Sequence, residues 1–377
     1  MKIWLLAVVL AVCGAAHAQW EIQDSGTTAD LRGIDVDGGV AWASGTNGTV
    51  LRTEDGGYSW QTCAVPPGAE HLDFRGIQAI DGNTAIVMSS GKGDLSRLYK
   101  TTDGCHTWKR ILENPDRDGS WDLLYFDRRQ WGWLLGTPVK GRFALFYSDD
   151  SGRTWQELRN KGLEAQAKDR GAFAASNSSI TGTYGAIKFG VGGNAGAFVY
   201  SITETEICVD DCAREDFSQV EQHAKWTSEE VPIGNHSESS GVFSLAERPD
   251  QTSSIRRAAA IVAVGGDSLK PDDAERTAAF TIDGGKTWQA AQTLPHGYRS
   301  AVAFDAAAKT WITVGPNGTD ISTDDGRNWR ALHPDPAMHE PPDADRDWNA
   351  LSLPFVVGPH GRIGKLNPKA LVQNESK

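Results

Sequence analysis

Five copies of one eight-residue turn restrict the fold of this chain more than any other feature. The copies have the form S/T-x-D-x-G-x-T/S-W and lie at 53–60, 101–108, 148–155, 281–288 and 322–329. Apart from one long gap they recur every 40 to 50 residues or so, and a turn that recurs at about this interval among short strands indicates blades around a central axis. We therefore predict an all-β fold, a seven-bladed β-propeller.

The chemistry of the repeat turn explains its residues. Its acidic positions are Asp55, Asp103, Asp150, Asp283 and Asp324. An Asp side chain can accept hydrogen bonds from the backbone amides of a tight hairpin, and Gly adopts the positive φ that such a turn needs. The closing Trp is expected to fill space between neighbouring blades. Because the turn lies at the blade periphery, it predicts architecture rather than function.

The spacing of the turns also predicts where the ring closes. The long gap between the third and fourth copies holds two enlarged blades: blade 4, about 171–232, lacks the turn, and blade 5, about 241–292, retains it. Blade 7 begins at Asp347 without an outer strand of its own. We predict that 19–23 at the N-terminus supplies this strand. The propeller would then span 19–371, followed by a frayed tail at 372–377.

The first 18 residues have the pattern of a secretory signal. Lys2 precedes an apolar run, and Ala16-His17-Ala18 forms a small-residue cleavage site. We expect cleavage after Ala18 and a periplasmic or secreted protein. Lipidation at Cys13 is the alternative, although Val12 is a poor residue for the position before a lipidated Cys.

The charge of the chain excludes some classes of partner. Its net charge of −12 would repel the phosphates of a nucleic acid. The chain also lacks a second long apolar segment, so we expect neither nucleic-acid binding nor membrane insertion. We expect a monomer.

Four cysteines remain after cleavage, and an oxidising compartment would pair them. Cys208 and Cys212 could close a short local loop. That leaves Cys63 and Cys105, and Cys105 stands where the other four turns have Gly. A disulfide between blades 1 and 2 would explain this departure, and unpaired thiols are the alternative.

Alignment of the blades on their inner strands brings one column of residues into register. The column contains Arg32, Arg75, Trp121, Arg170, Ser240, Arg299 and Trp348. Because inner strands line the axis, it should surround one mouth of the channel. Arg can bind carboxylates or sulfates, and Trp can stack on sugars or cations. The predicted binding rim is therefore Arg32, Arg75, Trp121, Arg170, Arg299 and Trp348.

A structural interpretation of the same column competes with the binding one. Asp30, Asp73 and Asp169 lie one or two residues before an Arg of the column, and each could neutralise it in an ion pair.

No metal or cofactor is expected. Asp343, Asp345 and Asp347 have the spacing of the start of a calcium loop, but the Gly and the twelfth-position Glu are missing. The histidines are scattered, without the spacing of a zinc site.

The repeat turn is identified as the Asp-box, or BNR repeat. Together with phrases such as GTVLRTEDGGYSW, SRLYKTTDGCHTW and GRIGKL, it makes nearly the whole mature chain similar to bacterial propellers of the photosystem II stability/assembly factor family. The resemblance implies a non-catalytic scaffold that binds an exported or membrane-associated protein. An Arg-rich face docks partners in that family, and the Arg column here could correspond to it.

A glycoside hydrolase or glycan-binding propeller is the rival interpretation, because sialidases share Asp-boxes. Arg32, Arg75 and Arg299 could imitate the arginine triad of a sialidase. Tyr298 and Glu238 are the nearest candidates for its nucleophile pair, although the N-terminal FRIP-type motif is missing. A buried rim carboxylate with a raised pKa would favour an acid catalyst.

Overall fold

The fold is a ring of seven antiparallel sheets. The computed structural model describes residues 19–127, 130–158, 162–165, 171–183, 186–203, 225–250, 258–334 and 340–372. These residues form seven four-stranded sheets, each with neighbouring strands in chain order except at the ring closure. The predicted seven-bladed β-propeller is confirmed.

The strands are short and follow the blade order. Blades 1 to 4 contain β2 (Leu31–Asp37), β3 (Val40–Gly45), β4 (Val50–Thr53) and β5 (Gln61–Thr62); β6 (Phe74–Ala79), β7 (Ala85–Ser89), β8 (Arg97–Thr101) and β9 (Lys109–Glu113); β10 (Trp121–Asp127), β11 (Trp131–Val139), β12 (Arg142–Ser148) and β13 (Gln156–Leu158); β14 (Ile180–Thr183), β15 (Ala186–Val191), β16 (Ala197–Thr203) and β17 (Lys225–Val231). Blades 5 to 7 contain β18 (Ser240–Pro249), β19 (Ala258–Asp267), β20 (Ala278–Thr281) and β21 (Gln289–Ala290); β22 (Ala301–Asp305), β23 (Thr310–Gly315), β24 (Gly318–Ser322) and β25 (Arg330–Leu332); and β26 (Ala350–Ser352), β27 (Phe355–Val357) and β28 (Ile363–Leu366). A 3₁₀ turn at Gly93–Leu95 and a helix at Lys369–Val372 complete the described elements.

The N-terminal strand closes the ring. Strand β1 (Trp20–Gln23) pairs antiparallel with β28, with Trp20 opposite Leu366. Trp20 is buried and lies 6.0 Å from Trp348, between ring centroids. The predicted closure of blade 7 by the N-terminal segment is therefore confirmed, and it places the first and last strands of the ring in one sheet.

The five Asp-box turns share one hydrogen-bond pattern. In the first, Asp55 accepts the hydroxyl of Thr53 at 2.8 Å and both the amide and the hydroxyl of Ser59, at 3.0 and 2.6 Å. The same bonds hold Asp103, Asp150 and Asp283, and at Asp324 the side-chain amide of Asn328 replaces the hydroxyl. Burial would raise the pKa of Asp283, but the hydrogen bonds from the side chains of Thr287 and Thr281 lower it to about 2. The turn is thus a local device that any blade can carry.

The predicted disulfide between blades 1 and 2 is confirmed. Cys63 follows β5, and it is bonded to Cys105 in the second Asp-box at an S–S distance of 1.98 Å. Cys105 has φ of 71°, in the region where the corresponding residue of the first turn, Gly57, has 92°. The Cys therefore occupies a backbone conformation suited to Gly. Cys208 and Cys212 lie outside the described residues.

Apolar side chains fill the spaces between neighbouring blades. Between blades 7 and 1, for example, Leu31 and Ala43 pack with Phe355 and Val357. Trp60 of the first Asp-box packs edge-on against Phe355, with ring centroids 5.6 Å apart, as its sequence pattern predicts. Each blade thus buries its faces against its two neighbours.

Blade 4 differs from its prediction at the inner strand. The strand was expected from about 171, with Arg170 at its start, but β14 begins at Ile180. The intervening residues cross the channel mouth instead, as described below. Arg170 and the proposed signal peptide lie outside the described residues, and within the described part no helix has the length and apolar character to cross a membrane.

Candidate functional site at the channel mouth

Four inner strands contain a β-bulge near their start, and these bulges determine which side chains reach the channel mouth. In blade 1, Leu31 pairs with Gly45 and Gly33 with Ser44, so Arg32 has no opposite residue. The equivalent residues of blades 2, 3 and 5 are Arg75, Asp122 and Phe243. A bulge redirects the side chain of the extra residue. Of these four residues Arg32 and Arg75 are partly exposed, whereas Asp122 and Phe243 are buried, so only part of the predicted column is accessible at the mouth.

Arg32 and Arg75 share one carboxylate. The Nε of Arg32 donates to Asp73 at 3.1 Å, and the Nε of Arg75 donates to the other oxygen of Asp73 at 2.8 Å. Asp30 lies 3.8 Å from Arg32. The side chains of Arg32, Asp73 and Arg75 are 26%, 27% and 32% exposed. We call Arg32, Asp73 and Arg75 the arginine cluster; its two cations share one anion, and Asp30 forms a longer ion pair with Arg32, at a surface that solvent can reach.

Asp122 lies beside this cluster in a different environment. It is 3% exposed; one carboxyl oxygen accepts from Ser120 at 3.2 Å, and the other has no hydrogen-bond partner. Burial raises the pKa of Asp122 well above its ordinary value, although the Ser120 hydrogen bond and the charge of Arg75 act in the opposite direction. The sequence column missed this residue because it selected Trp121, one position earlier.

Trp121, Arg299 and Trp348 are buried and do not line the mouth. The backbone amides of Leu31, Arg299 and Trp348 each donate to a Gly carbonyl of the preceding blade. Arg299 and Trp348 therefore correspond to Leu31, one residue before the bulge position. A shift of one residue moves a strand side chain to the opposite face, so Trp121 and Trp348 join the hydrophobic core.

Arg299 is part of a buried ion-pair network. It is 0% exposed, and its Nε donates to Asp320 at 2.8 Å, with a second, shorter contact from Nη2. His296 contacts the other oxygen of Asp320 at 2.8 Å. Burial alone would raise the pKa of Asp320, but the hydrogen bond from His296 and the charge of Arg299 lower it. Arg299 therefore has a structural role, with Asp320 rather than a preceding Asp as its partner; the predicted pairing with a preceding Asp is found for Arg75 with Asp73 and for Arg32 with Asp30.

The remaining members of the column and of the sialidase comparison are not assembled into a site. Ser240 is buried at the start of β18. Tyr298 is buried against Phe243, with ring centroids 4.8 Å apart, whereas Glu238 is exposed. Arg299 is paired with the buried Asp320. Among the described residues no hydrogen bond joins Tyr298 to Glu238. Nor do these residues contain a group of His, Cys, Asp or Glu placed to bind a metal ion.

A segment of blade 4 crosses the mouth of the channel. We call Gly171–Ser179 the mouth segment. The carbonyl of Ala174 accepts from Arg75 of blade 2 at 2.7 Å, and Asn177 bonds both backbone groups of Leu124 in blade 3. Ser176 donates to the carbonyl of Ser300 at the start of blade 6. Only the length of the gap between the third and fourth Asp-boxes hints at this element in the sequence.

A cavity of about 460 Å³ lies in the channel next to the mouth segment. All seven blades line it, together with Ser176, Asn177 and Ser178. Several polar side chains on its wall hold neighbouring blades together: Asp35 accepts the amide of Ala79 at 2.8 Å, and Tyr125 donates to the carbonyl of Gly182 at 2.6 Å. Burial raises the pKa of Tyr125, as do the nearby charges of Asp127 and Glu247. These contacts give the cavity wall a structural role.

Comparison with known proteins agrees with this architecture. Residues 13–187 match the family model described as photosynthesis system II assembly factor YCF48. No curated protein gives a significant match.

Two solved structures share the fold over nearly their whole length. One is YCF48 bound to D1 peptide, with a TM-score of 0.54 and 16% identity over 96% of this chain and 99% of that chain. The other is YCF48 from Cyanidioschyzon merolae, with a TM-score of 0.54 and 20% identity over 93% and 100%. The protein is therefore a seven-bladed BNR-repeat propeller similar to the photosystem II assembly factors, with the family match itself spanning residues 13–187.

Proposed function

We propose that this propeller is a non-catalytic scaffold that binds a partner protein at the arginine cluster. The observation that carries the proposal is the sharing of Asp73 by two partly exposed guanidinium groups. Within the described residues, Nη1 of Arg32 and Nη2 of Arg75 make no hydrogen bond. Arg presents its donors in a fixed planar fork that suits carboxylates, so the cluster retains donors for an acceptor on another molecule.

The kind of partner follows from chemistry and from similarity. The chain has a net charge of −12, so a local pair of cations is an attractive site on a surface that otherwise repels acidic molecules. A similar propeller, YCF48, has been solved with a D1 peptide bound. We propose that the partner here presents a peptide segment with a carboxylate or carbonyl group to Arg32 and Arg75.

The test compares the two arginines of the cluster with an arginine on the outer strand of blade 2. Three proteins serve as baits for envelope proteins and are titrated with the D1 peptide: wild type, an Arg32→Ala/Arg75→Ala double variant and an Arg110→Ala control. Arg110 lies on the outer strand β9 with a 51% exposed side chain, so it controls for lost surface charge. We expect the double variant to bind at least about tenfold more weakly. Equal binding by all three proteins would refute the site.

The export of the protein is a separate part of the proposal. The apolar run after Lys2 and the Ala16-His17-Ala18 site support cleavage after Ala18 and a periplasmic or secreted location. N-terminal sequencing of the protein from the extracellular or periplasmic fraction should begin at Gln19. A chain that retains Met1 in the cytoplasm would contradict this.

Glycoside hydrolysis is a second candidate because of Asp122. It is a buried carboxyl near the mouth with a raised pKa, as an acid catalyst requires. The candidate is weaker because Arg299 and Tyr298 are buried away from the arginine cluster. A sialidase substrate panel with wild type and Asp122→Asn tests it: turnover abolished by the substitution would support hydrolysis.

A further inference from the structure

The mouth segment has two parts that are held differently. Ser176, Asn177 and Ser179 are buried at 5%, 9% and 0% exposure. Asn177 and Ser176 hydrogen-bond blades 3 and 6, and the amide of Leu245 in blade 5 donates to the carbonyl of Ser178 at 2.8 Å. This inner part is fastened to three blades and is a permanent part of the channel.

The outer part, Gly171–Ala175, is half-buried and held by few contacts. Gly171 exchanges two backbone hydrogen bonds with Gly192, at 3.1 and 2.9 Å. The ring of Phe173 stacks on Phe243 at 4.1 Å with an interplanar angle of 9°. Among the described residues, the bond from Arg75 to Ala174 is the one side-chain hydrogen bond that this part receives.

The contact with Ala174 involves the same guanidinium that the proposed partner would use. A backbone carbonyl has no net charge, whereas a carboxylate forms an ion pair with the guanidinium and can accept two parallel N–H bonds from it. A partner carboxylate could therefore replace Ala174 at Arg75.

We propose that Gly171–Ala175 is a strap that competes with the partner for Arg75, so that tight binding requires the strap to leave the guanidinium. This inference rests on the proposed function of the arginine cluster and adds its regulation. The strap is bonded to Arg75, whereas among the described residues Arg32 makes its polar contacts with Asp73 and Asp30 and none with the strap. The two arginines of the cluster therefore differ in availability, and Phe173 determines by how much.

The first experiment needs no partner. Reaction of the full protein with an arginine-specific 1,2-dicarbonyl reagent is followed at Arg75 and Arg32 by peptide mass spectrometry. In Phe173→Ala, which removes the ring stack, we expect Arg75 to react roughly 2- to 10-fold faster and Arg32 to react at its wild-type rate. An unchanged Arg75 rate, or equal acceleration of both arginines, would overturn the proposal. Phe173→Leu keeps apolar volume and replaces Phe173→Ala if that variant does not fold.

The second experiment measures competition with the D1 peptide as the probe. Phe173→Ala should bind the peptide tighter by the same factor that accelerates Arg75 labelling, since both report the fraction of open strap. Binding equal to or weaker than wild type would refute competition even if labelling accelerates. If the peptide binds no form of the protein, the proposed partner chemistry fails, and the labelling ratio alone decides whether the strap covers Arg75.

Discussion

The two sides of the channel mouth use similar sequence frames for opposite purposes. On blades 1 and 2, LRGI and FRGI place Arg32 and Arg75 at bulges, where they remain partly exposed on Asp73. On blade 6, YRSAV places Arg299 one residue earlier, with 0% exposure on Asp320. An Arg near the start of an inner strand is therefore a surface donor or a buried structural cation, depending on a shift of one residue.

The difference shows that burial, rather than residue type, decides what such an arginine can do. An exposed ion pair contributes little to stability but remains available to a ligand. A buried pair is unavailable, and it becomes costly when one partner is removed. The following substitutions test this contrast, from the largest expected effect to the smallest.

Arg299→Ala should be far more destabilising than Arg75→Ala. Removal of Arg299 leaves the buried Asp320 without its main cation, at a cost of about 3–5 kcal/mol, whereas loss of the partly exposed Arg75 should cost less than about 1 kcal/mol. Urea unfolding followed by tryptophan fluorescence measures both. Similar losses of unfolding free energy in the two variants would contradict the difference between a buried and an exposed arginine.

The disulfide ties together the two blades that carry the exposed arginines. Loss of the bond in Cys63→Ala/Cys105→Ala should lower the free energy of unfolding by about 2–4 kcal/mol. The Cys63→Ala/Cys105→Gly variant should recover about 1 kcal/mol, because Gly tolerates the positive φ of this position. Thermal unfolding of both variants beside the reduced wild type measures the effect. If Gly and Ala were equivalent there, the backbone conformation would not explain why other turns have Gly.

Asp122 and Asp320 should respond to pH in opposite directions. The pKa of Asp122 is raised in the folded protein, so it stays protonated where the unfolded chain ionises, and it lowers stability increasingly as pH rises above about 4. Asp122→Asn should therefore be more stable than wild type at pH 7 and close to wild type at acidic pH.

The pKa of Asp320 is lowered in the folded protein, so its contribution is present above about pH 4 and is lost as pH falls further. Asp320→Asn should accordingly be destabilising at pH 7 and approach wild type in acid. Unfolding free energies measured from acidic pH to pH 7 test both predictions. If Asp122→Asn gained the same stability at every pH, the raised pKa of Asp122 would be contradicted.

Arg32→Ala should have the smallest effect on stability. Its side chain is 26% exposed and Arg75 still pairs with Asp73, so the change should be within about 0.5 kcal/mol. Binding of the proposed partner should nevertheless weaken. Urea unfolding and peptide titration on the same preparation separate the two effects, and a large loss of stability would give Arg32 the same role as Arg299.

The sequence alone was sufficient for the parts of the fold that depend on local chemistry. The Asp-box is held by hydrogen bonds within eight residues, so its recurrence revealed the blades, their number and the strand that closes the ring. The substitution of Cys105 for the usual Gly pointed to its bond with Cys63. Such signals survive in a sequence because the residues that interact lie close together or break a repeated pattern.

Only the tertiary structure decided which residues form the channel mouth. The bulges that direct Arg32, Arg75 and Asp122 depend on pairing with the second strand, and a one-residue shift exchanges surface for core. The mouth segment depends on contacts with blades 2, 3, 5 and 6, far away in the chain. Strand register and long-range packing are collective properties of the closed ring, so no local pattern encodes them.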